Sequence, residues 1–109
     1  MAEAYKVLGQ LDAAATTLET LYTVPGATES IITTLTVCNR GAVNDTFRVA
    51  LRVGGAGIDN KHYLYYDVAI PANDTFAATL GITLATTDVV SVYCGLGDLT
   101  FNLTGTEVT

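Results

Sequence analysis

The chain has no tryptophan, one histidine, two cysteines and two prolines, and its five lysines and arginines face eleven aspartates and glutamates. Each shortage excludes something. Binding phosphates takes a basic stripe; Arg40, Arg48, Arg52 and Lys61 are few and scattered, and a net charge of −6 points away from nucleic acid as a partner. One histidine and two distant cysteines do not supply the tight spacings of a metal site, so no metal or other cofactor is expected. No stretch approaches the roughly 20 apolar residues that a membrane span requires, so no membrane partner is expected either. The start, Met1-Ala2-Glu3-Ala4-Tyr5-Lys6, lacks the basic and apolar regions of a signal peptide, which sets an expectation of synthesis in a cytoplasm.

Charge itself is scarce. Only 15% of residues are charged while 50% are hydrophobic, a balance that offsets chain entropy and speaks for a folded core. A length of 109 residues fits one domain. What stands in place of charge is threonine, 18 residues of it, many inside apolar runs. Threonine is β-branched and suits a pleated, half-buried surface, and a surface poor in ionic groups is cheap to desolvate against another subunit.

The hydrophobic period is two nearly everywhere, with turn signals every eight to twelve residues. Strands are expected at residues 5–10, 16–24, 29–38, 46–53, 62–70, 75–84, 89–94 and 99–103, followed by a short tail. Residues 11–15 read as a loop or a single helical turn. The fold class is therefore all-β: about eight antiparallel strands in a sandwich, jelly-roll or immunoglobulin-like, as a single domain. Residues 1–15 form either an amino-terminal arm or the first strand, and 16–109 form the sandwich. Alternation turns Ile31, Leu35 and Val37 inward with Cys38 outward, and turns Phe47, Val49, Leu51 and Val53 inward. Cys94 shares a face with Val90 and Val92. Two cysteines on opposite faces, with no tryptophan to cover a bridge, predict free thiols. Asn44-Asp45-Thr46-Phe47 recurs as Asn73-Asp74-Thr75-Phe76, suggesting two comparable corners where Asx side chains satisfy the turn and Phe starts the buried face.

A catalytic set is hard to find. His62 stands beside Lys61 and Asp59 at a strand start and reads as a surface or turn residue, and Ser30, Ser91, Cys38 and Cys94 sit in no nucleophile motif. Asp59, Asn60, Asn73, Asp74 and Asp98 lie in turns without calcium-loop spacing. The N-x-[ST] triplets at Asn44, Asn73 and Asn102 follow from Asn- and Thr-rich turns, and the glycines at 54–57 read as a flexible hairpin tip. No enzyme is expected. The positive signal is tyrosine: Tyr63, Tyr65 and Tyr66 form a dense patch that serves equally as core or as subunit interface. A sugar-binding platform is a weaker alternative.

Several segments carry a likeness when taken in order: Leu21-Tyr22-Thr23-Val24-Pro25, Leu35-Thr36-Val37-Cys38-Asn39-Arg40, Thr46-Phe47-Arg48-Val49, His62-Tyr63-Leu64-Tyr65-Tyr66-Asp67, Ile70-Pro71-Ala72-Asn73-Asp74-Thr75, Thr87-Asp88-Val89-Val90-Ser91-Val92-Tyr93 and Phe101-Asn102-Leu103-Thr104-Gly105. From about residue 8 onward this order resembles a family of small β-sandwich virion structural proteins of tailed phages, cyanophages among them. The resemblance implies a place in the particle. A compact domain with no fibrous segment looks more like a capsid decoration or cement protein, a homo-oligomer with a trimer favoured, bound to the major capsid protein at the capsid surface. The alternatives are a tail, baseplate or fibre-associated β-domain and a virion-displayed carbohydrate- or host-binding module. The interface candidates are Tyr5, Val7 and Leu8 in the arm, which would add an edge strand to a neighbour, and Tyr63, Tyr65 and Tyr66.

Overall fold

A computed structural model describes residues 2–109. The β-branched, alternating segments become eight strands: β1 (Glu3–Asp12), β2 (Glu19–Thr23), β3 (Glu29–Asn39), β4 (Asp45–Arg52), β5 (Tyr63–Ile70), β6 (Thr75–Leu84), β7 (Val89–Cys94) and β8 (Leu99–Val108). Two 3₁₀ turns, Val53–Gly55 and Asn60–His62, fill the long β4–β5 connection. The first sheet has the order β1-β8-β3-β6 and the second β2-β7-β4-β5, and every pairing within them is antiparallel. The pairs β1–β8, β2–β7, β3–β6 and β4–β5 are successive rungs of one long hairpin, which folds over so that successive rungs alternate between sheets. That order is the jelly roll. An immunoglobulin-like sandwich would keep its first two strands in one sheet, whereas β1 and β2 lie in opposite ones.

Both inner faces meet in one core, whose largest fully buried side chains include Phe47, Phe101, Ile32, Leu35, Ile70, Leu99 and Leu103. The repeated Asx motif is visible here. Asp45 Oδ1 accepts from Thr46 N at 2.7 Å and Asp74 Oδ1 from Thr75 N at 2.8 Å. Each bond fixes the start of a strand and aims the next residue inward, so that Phe47 of β4 and Phe76 of β6 meet across the sheets at 5.2 Å. Cys38 is half-buried and Cys94 buried, both as free thiols.

Buried polar groups pin the loops. Asn39 Nδ2 donates to the carbonyls of Val43, Ile70 and Pro71 at 3.0–3.2 Å while Oδ1 accepts from Gly41 N. Asp45 also accepts from Gly95 N and Leu96 N, and Asp88 from Gly54 N and Ala85 N. Among the described residues no buried side-chain donor or acceptor lacks a partner, the condition under which burial of such groups stabilises rather than costs.

The departures from strict alternation have local causes. Ile31 is 40% exposed and Ile32 buried, the reverse of the expected parity, because Thr33 is an extra residue relative to β8 and flips the faces of β3 on either side of it. Val53 is exposed rather than inward, since the chain leaves β4 at Arg52 and turns through Val53–Gly55. Thr16 adopts φ 51°, a break that delays the second strand to Glu19. His62 is buried, not on the surface. The final residues, expected as a tail, continue β8 to Val108 between β1 and β3.

Phe47 touches aromatic rings of three other strands, Tyr65, Phe76 and Phe101. Phe47→Ala is expected to cost about 3–5 kcal/mol, read as a fall in the urea midpoint at unchanged slope.

Candidate functional site

The outer face of the first sheet is built by register. Cross-strand rows run Tyr5–Thr106–Ile31–Thr83, Val7–Thr104–Thr34–Thr79, Gln10–Asn102–Thr36–Ala77 and Asp12–Thr100–Cys38–Thr75. Within these rows the one charged member is Asp12, paired with Arg40 Nη2 at 2.7 Å; the next row on the same face, Glu3–Val108–Glu29, adds two exposed carboxylates at its end. Elsewhere the rows are threonine, amide and small apolar groups, ending at β1 in Tyr5 (79% exposed) and an exposed Val7. Leu8, by contrast, sits at the register shift between Val7 and Gly9 and packs against the core. Thr33 bulges onto this face and donates through Oγ1 to the Thr104 carbonyl at 3.2 Å.

The outer face of the second sheet differs. Tyr65 turns inward onto Phe47 and Phe76, at 6.1 and 5.5 Å. Its neighbours Tyr63 and Tyr66 meet edge-on at 4.9 Å, with Tyr66 exposed. They reach one side together because Leu64 is an extra residue between the pairs Ala50↔Tyr63 and Val49↔Tyr65; Tyr66 and Asp67 then both lie between Val49↔Tyr65 and Phe47↔Val68, opposite Arg48 alone, with Asp67 at φ 51°. Asp67 then forms an ion pair with Arg48, Nε to Oδ1 at 2.6 Å, which favours the charged guanidinium. The guanidinium carbon lies 4.1 Å from the Tyr66 ring centroid and 4.4 Å from that of Tyr93 on β7, within cation–π range. The result is a ridge across three strands: Tyr93, Arg48, Tyr66, Tyr63. Arg48 and Tyr93 were not legible as site residues; the one sequence signal was an arginine set between Phe47 and Val49 in the cleanest alternating strand.

A third feature is a polar chain at the end where β1, β2, β3 and β8 converge. Lys6 Nζ lies 2.6 Å from Glu107 Oε1, the Tyr22 hydroxyl donates to Glu107 Oε2 at 2.6 Å, and Ser30 Oγ lies 2.6 Å from the same hydroxyl. Since Tyr22 gives its proton to Glu107, Ser30 must donate to Tyr22. Burial and the bond to Glu107 push the Tyr22 phenol up to about 12. Such a phenol stays protonated and is not available to take a proton from Ser30, which is buried beneath it. This arrangement locks strands rather than activating a hydroxyl.

His62 is engaged as well. Its Nδ1 accepts from Asp59 N at 2.9 Å in a capping box that starts the second 3₁₀ turn. It borders an open depression of about 530 Å³ shared with Leu51, Val53, Ala56, Lys61 and Leu64, where no nucleophile faces it. Among the described residues no group of three or more His, Cys, Asp or Glu side chains is placed to hold a metal ion, and no helix is long and apolar enough to cross a membrane. No family model matches the sequence, and no curated protein matches it.

The polar chain generates a pH profile. Hydrogen bonds from Lys6 and Tyr22 hold the Glu107 carboxyl below its ordinary value of 4.5. The folded chain therefore binds this proton less readily than the unfolded chain, so the contribution is complete above 4.5 and is lost as pH falls through the lower folded value. Tyr22 has the opposite sign: its contribution is complete below 10.0 and is lost as pH rises towards about 12. In thermal melts across pH, Glu107→Gln should flatten the acid limb and Tyr22→Phe the alkaline limb. Tyr22→Phe should also remove the latest step from a spectroscopic tyrosine titration.

Proposed function

We propose that the chain is a structural protein of a tailed-phage virion, a capsid decoration or cement protein that oligomerises and binds the major capsid protein through the outer face of its first sheet. The observation that carries this reading is the cross-strand field of threonine at the centre of that face, where the one charge, Asp12, is paired, with exposed Tyr5 and Val7 at its border and the carboxylates of Glu3 and Glu29 confined to its end row. Covering such a face removes little hydration from ionic groups, whereas covering a charged face leaves unpaired charges to desolvate. The phage assignment is supported by the order of strand and turn motifs along the chain, and the jelly roll is an architecture that viral capsid domains share, a fold-level analogy only. A non-catalytic role agrees with Ser30 lying buried under Tyr22 and with His62 Nδ1 engaged in its own turn.

The ridge of Tyr93, Arg48, Tyr66 and Tyr63 favours a second reading, a host- or carbohydrate-binding module displayed on the virion. Tyrosine and arginine are the side chains in which binding energy concentrates.

Two measurements separate these. Quantitative mass spectrometry of purified particles should find the chain in numbers comparable to the major capsid protein; a handful of copies per particle would place it in the tail and sink the decoration reading. Thr34→Lys, at the centre of the face, should change stability by no more than about 0.5 kcal/mol and weaken binding to undecorated heads at least about tenfold. Tyr66→Ala should leave head binding intact; loss of glycan or host-cell binding in that variant would favour the second reading.

A further inference from the structure

Four strands end the two sheets, β1 and β6 in the first and β2 and β5 in the second. An edge strand exposes a row of unpaired N–H and C=O groups, and chains guard such edges with charge, proline, brevity or bulges. β1 carries Glu3, Lys6 and Asp12 and a register shift beside Leu8. β2 has only five residues and shifts at Leu21. β5 carries Asp67 and shifts twice. β6 has none of the side-chain guards: its ten residues include no charge and no proline. Its one irregularity, Leu80 and Gly81 with Gly81 at φ 63°, leaves the first half, residues 75–79, in regular register with β3.

The flank beside β6 is open too. On the β1–β2 side the sheets close tightly, since a Cβ on Gly9 would collide with the carbonyl oxygen of Leu21. On the β5–β6 side Tyr65, Phe76, Leu80 and Ile82 pack against the core yet stay partly exposed.

We propose that β6 pairs antiparallel with β6 of a second copy of the chain, about a two-fold axis at Ala77, joining two first sheets into one continuous sheet. This register sets Thr75 against Thr79 of the partner subunit on the outer face and Phe76 against Ala78 of the partner subunit on the inner face, so outward residues meet outward ones and inward meet inward. The stretch is its own complement: uncharged throughout, it opposes no like charges when it meets itself about the axis, and it sets the large Phe76 against the small Ala78. A chain with net charge −6 repels its own copies, so two copies approach best along an edge that presents no carboxylate. β6 is that edge; the nearest acid, Asp74, lies before the paired stretch and already accepts from Thr75 N. The pairing covers the Phe76 flank, satisfies backbone groups on both copies and stops at the Gly81 bulge, as bulges commonly end pairing. It is an isologous contact, different from the threefold one that the family resemblance implies, and it is a property of the isolated chain whether or not the chain decorates a capsid.

The test is sedimentation of the purified full-length chain with a charge-swap pair. The expected result is a dimer for the unaltered chain. Ala77→Lys and Ala77→Glu, each placing like charges opposite one another across the axis, should raise the dissociation constant about tenfold or more, and an equal mixture of the two should restore the dimer. Thr34→Lys, on the same face but in the interior strand β3, should leave the dimer intact. A monomer at all concentrations, a trimer indifferent to Ala77→Lys, or an association lost in Thr34→Lys and kept in Ala77→Lys would each overturn the proposal. The last of these outcomes would leave the outer-face reading standing while removing the edge.

Discussion

The two sheets are joined at Phe47. Its ring stands between Phe101 on β8, Phe76 on β6 and Tyr65 on β5, so it holds three strands that are distant in sequence against its own. Two of these rings are aimed by the same device, an aspartate that accepts the backbone N–H of the next residue and fixes the strand's first step. If either turn opened, a phenylalanine would leave the seam and the contacts across it would go together. The nested hairpin supplies the order of strands, but this aromatic junction sets how the hairpin folds over itself. Asn39, bonded to three carbonyls of the neighbouring loops, holds the same end of the sandwich closed.

The alternation of residues carried most of the architecture, because a half-buried strand must place its apolar side chains at every second position. The eight strands, the free thiols on opposite faces and the paired Asx corners were all legible that way. In β3 a single added residue reversed the expected parity. Nothing in Ile31-Ile32-Thr33-Thr34 marks Thr33 as a bulge, since it is not glycine and its neighbours are equally β-branched, yet it decides which isoleucine is buried. The continuation of β8 through Gly105 and Thr106 carries almost no hydrophobic signal; it is a strand because β1 and β3 flank it on both sides. The Arg48 ridge was illegible for the same reason as the parity of β3. It exists because irregularities at Leu64 and at Asp67 bring Tyr63, Tyr66 and Asp67 to one side, and its third ring, Tyr93, comes from a strand distant in sequence.

The surface is divided by kind. One outer face is threonine and amide, the other is aromatic with a clamped arginine, and the polar chain from Lys6 to Ser30 ties the charged edge strand β1 to both sheets. In the proposed role this division would let the carboxylates supply mutual repulsion between free chains while the centre of the first outer face carries only the paired Asp12, with Glu3 and Glu29 at its end.

Threonine suits that second requirement for a reason beyond its lack of charge. Its methyl group contributes apolar area, and its hydroxyl can find a partner within its own sheet: Thr33 Oγ1 reaches the Thr104 carbonyl, and Thr104 Oγ1 lies 3.5 Å from the Thr34 carbonyl. A hydroxyl bonded inside the sheet does not need a new partner when a neighbouring subunit displaces the water above it, so the desolvation cost of about 1–3 kcal/mol for an orphaned polar group is avoided. Leucine in these positions would leave a large exposed apolar patch and invite indiscriminate association; lysine would have to be desolvated or matched charge for charge. At Thr33 and Thr104 the hydroxyl is already satisfied within the sheet, so the proposed covering of this face would orphan neither.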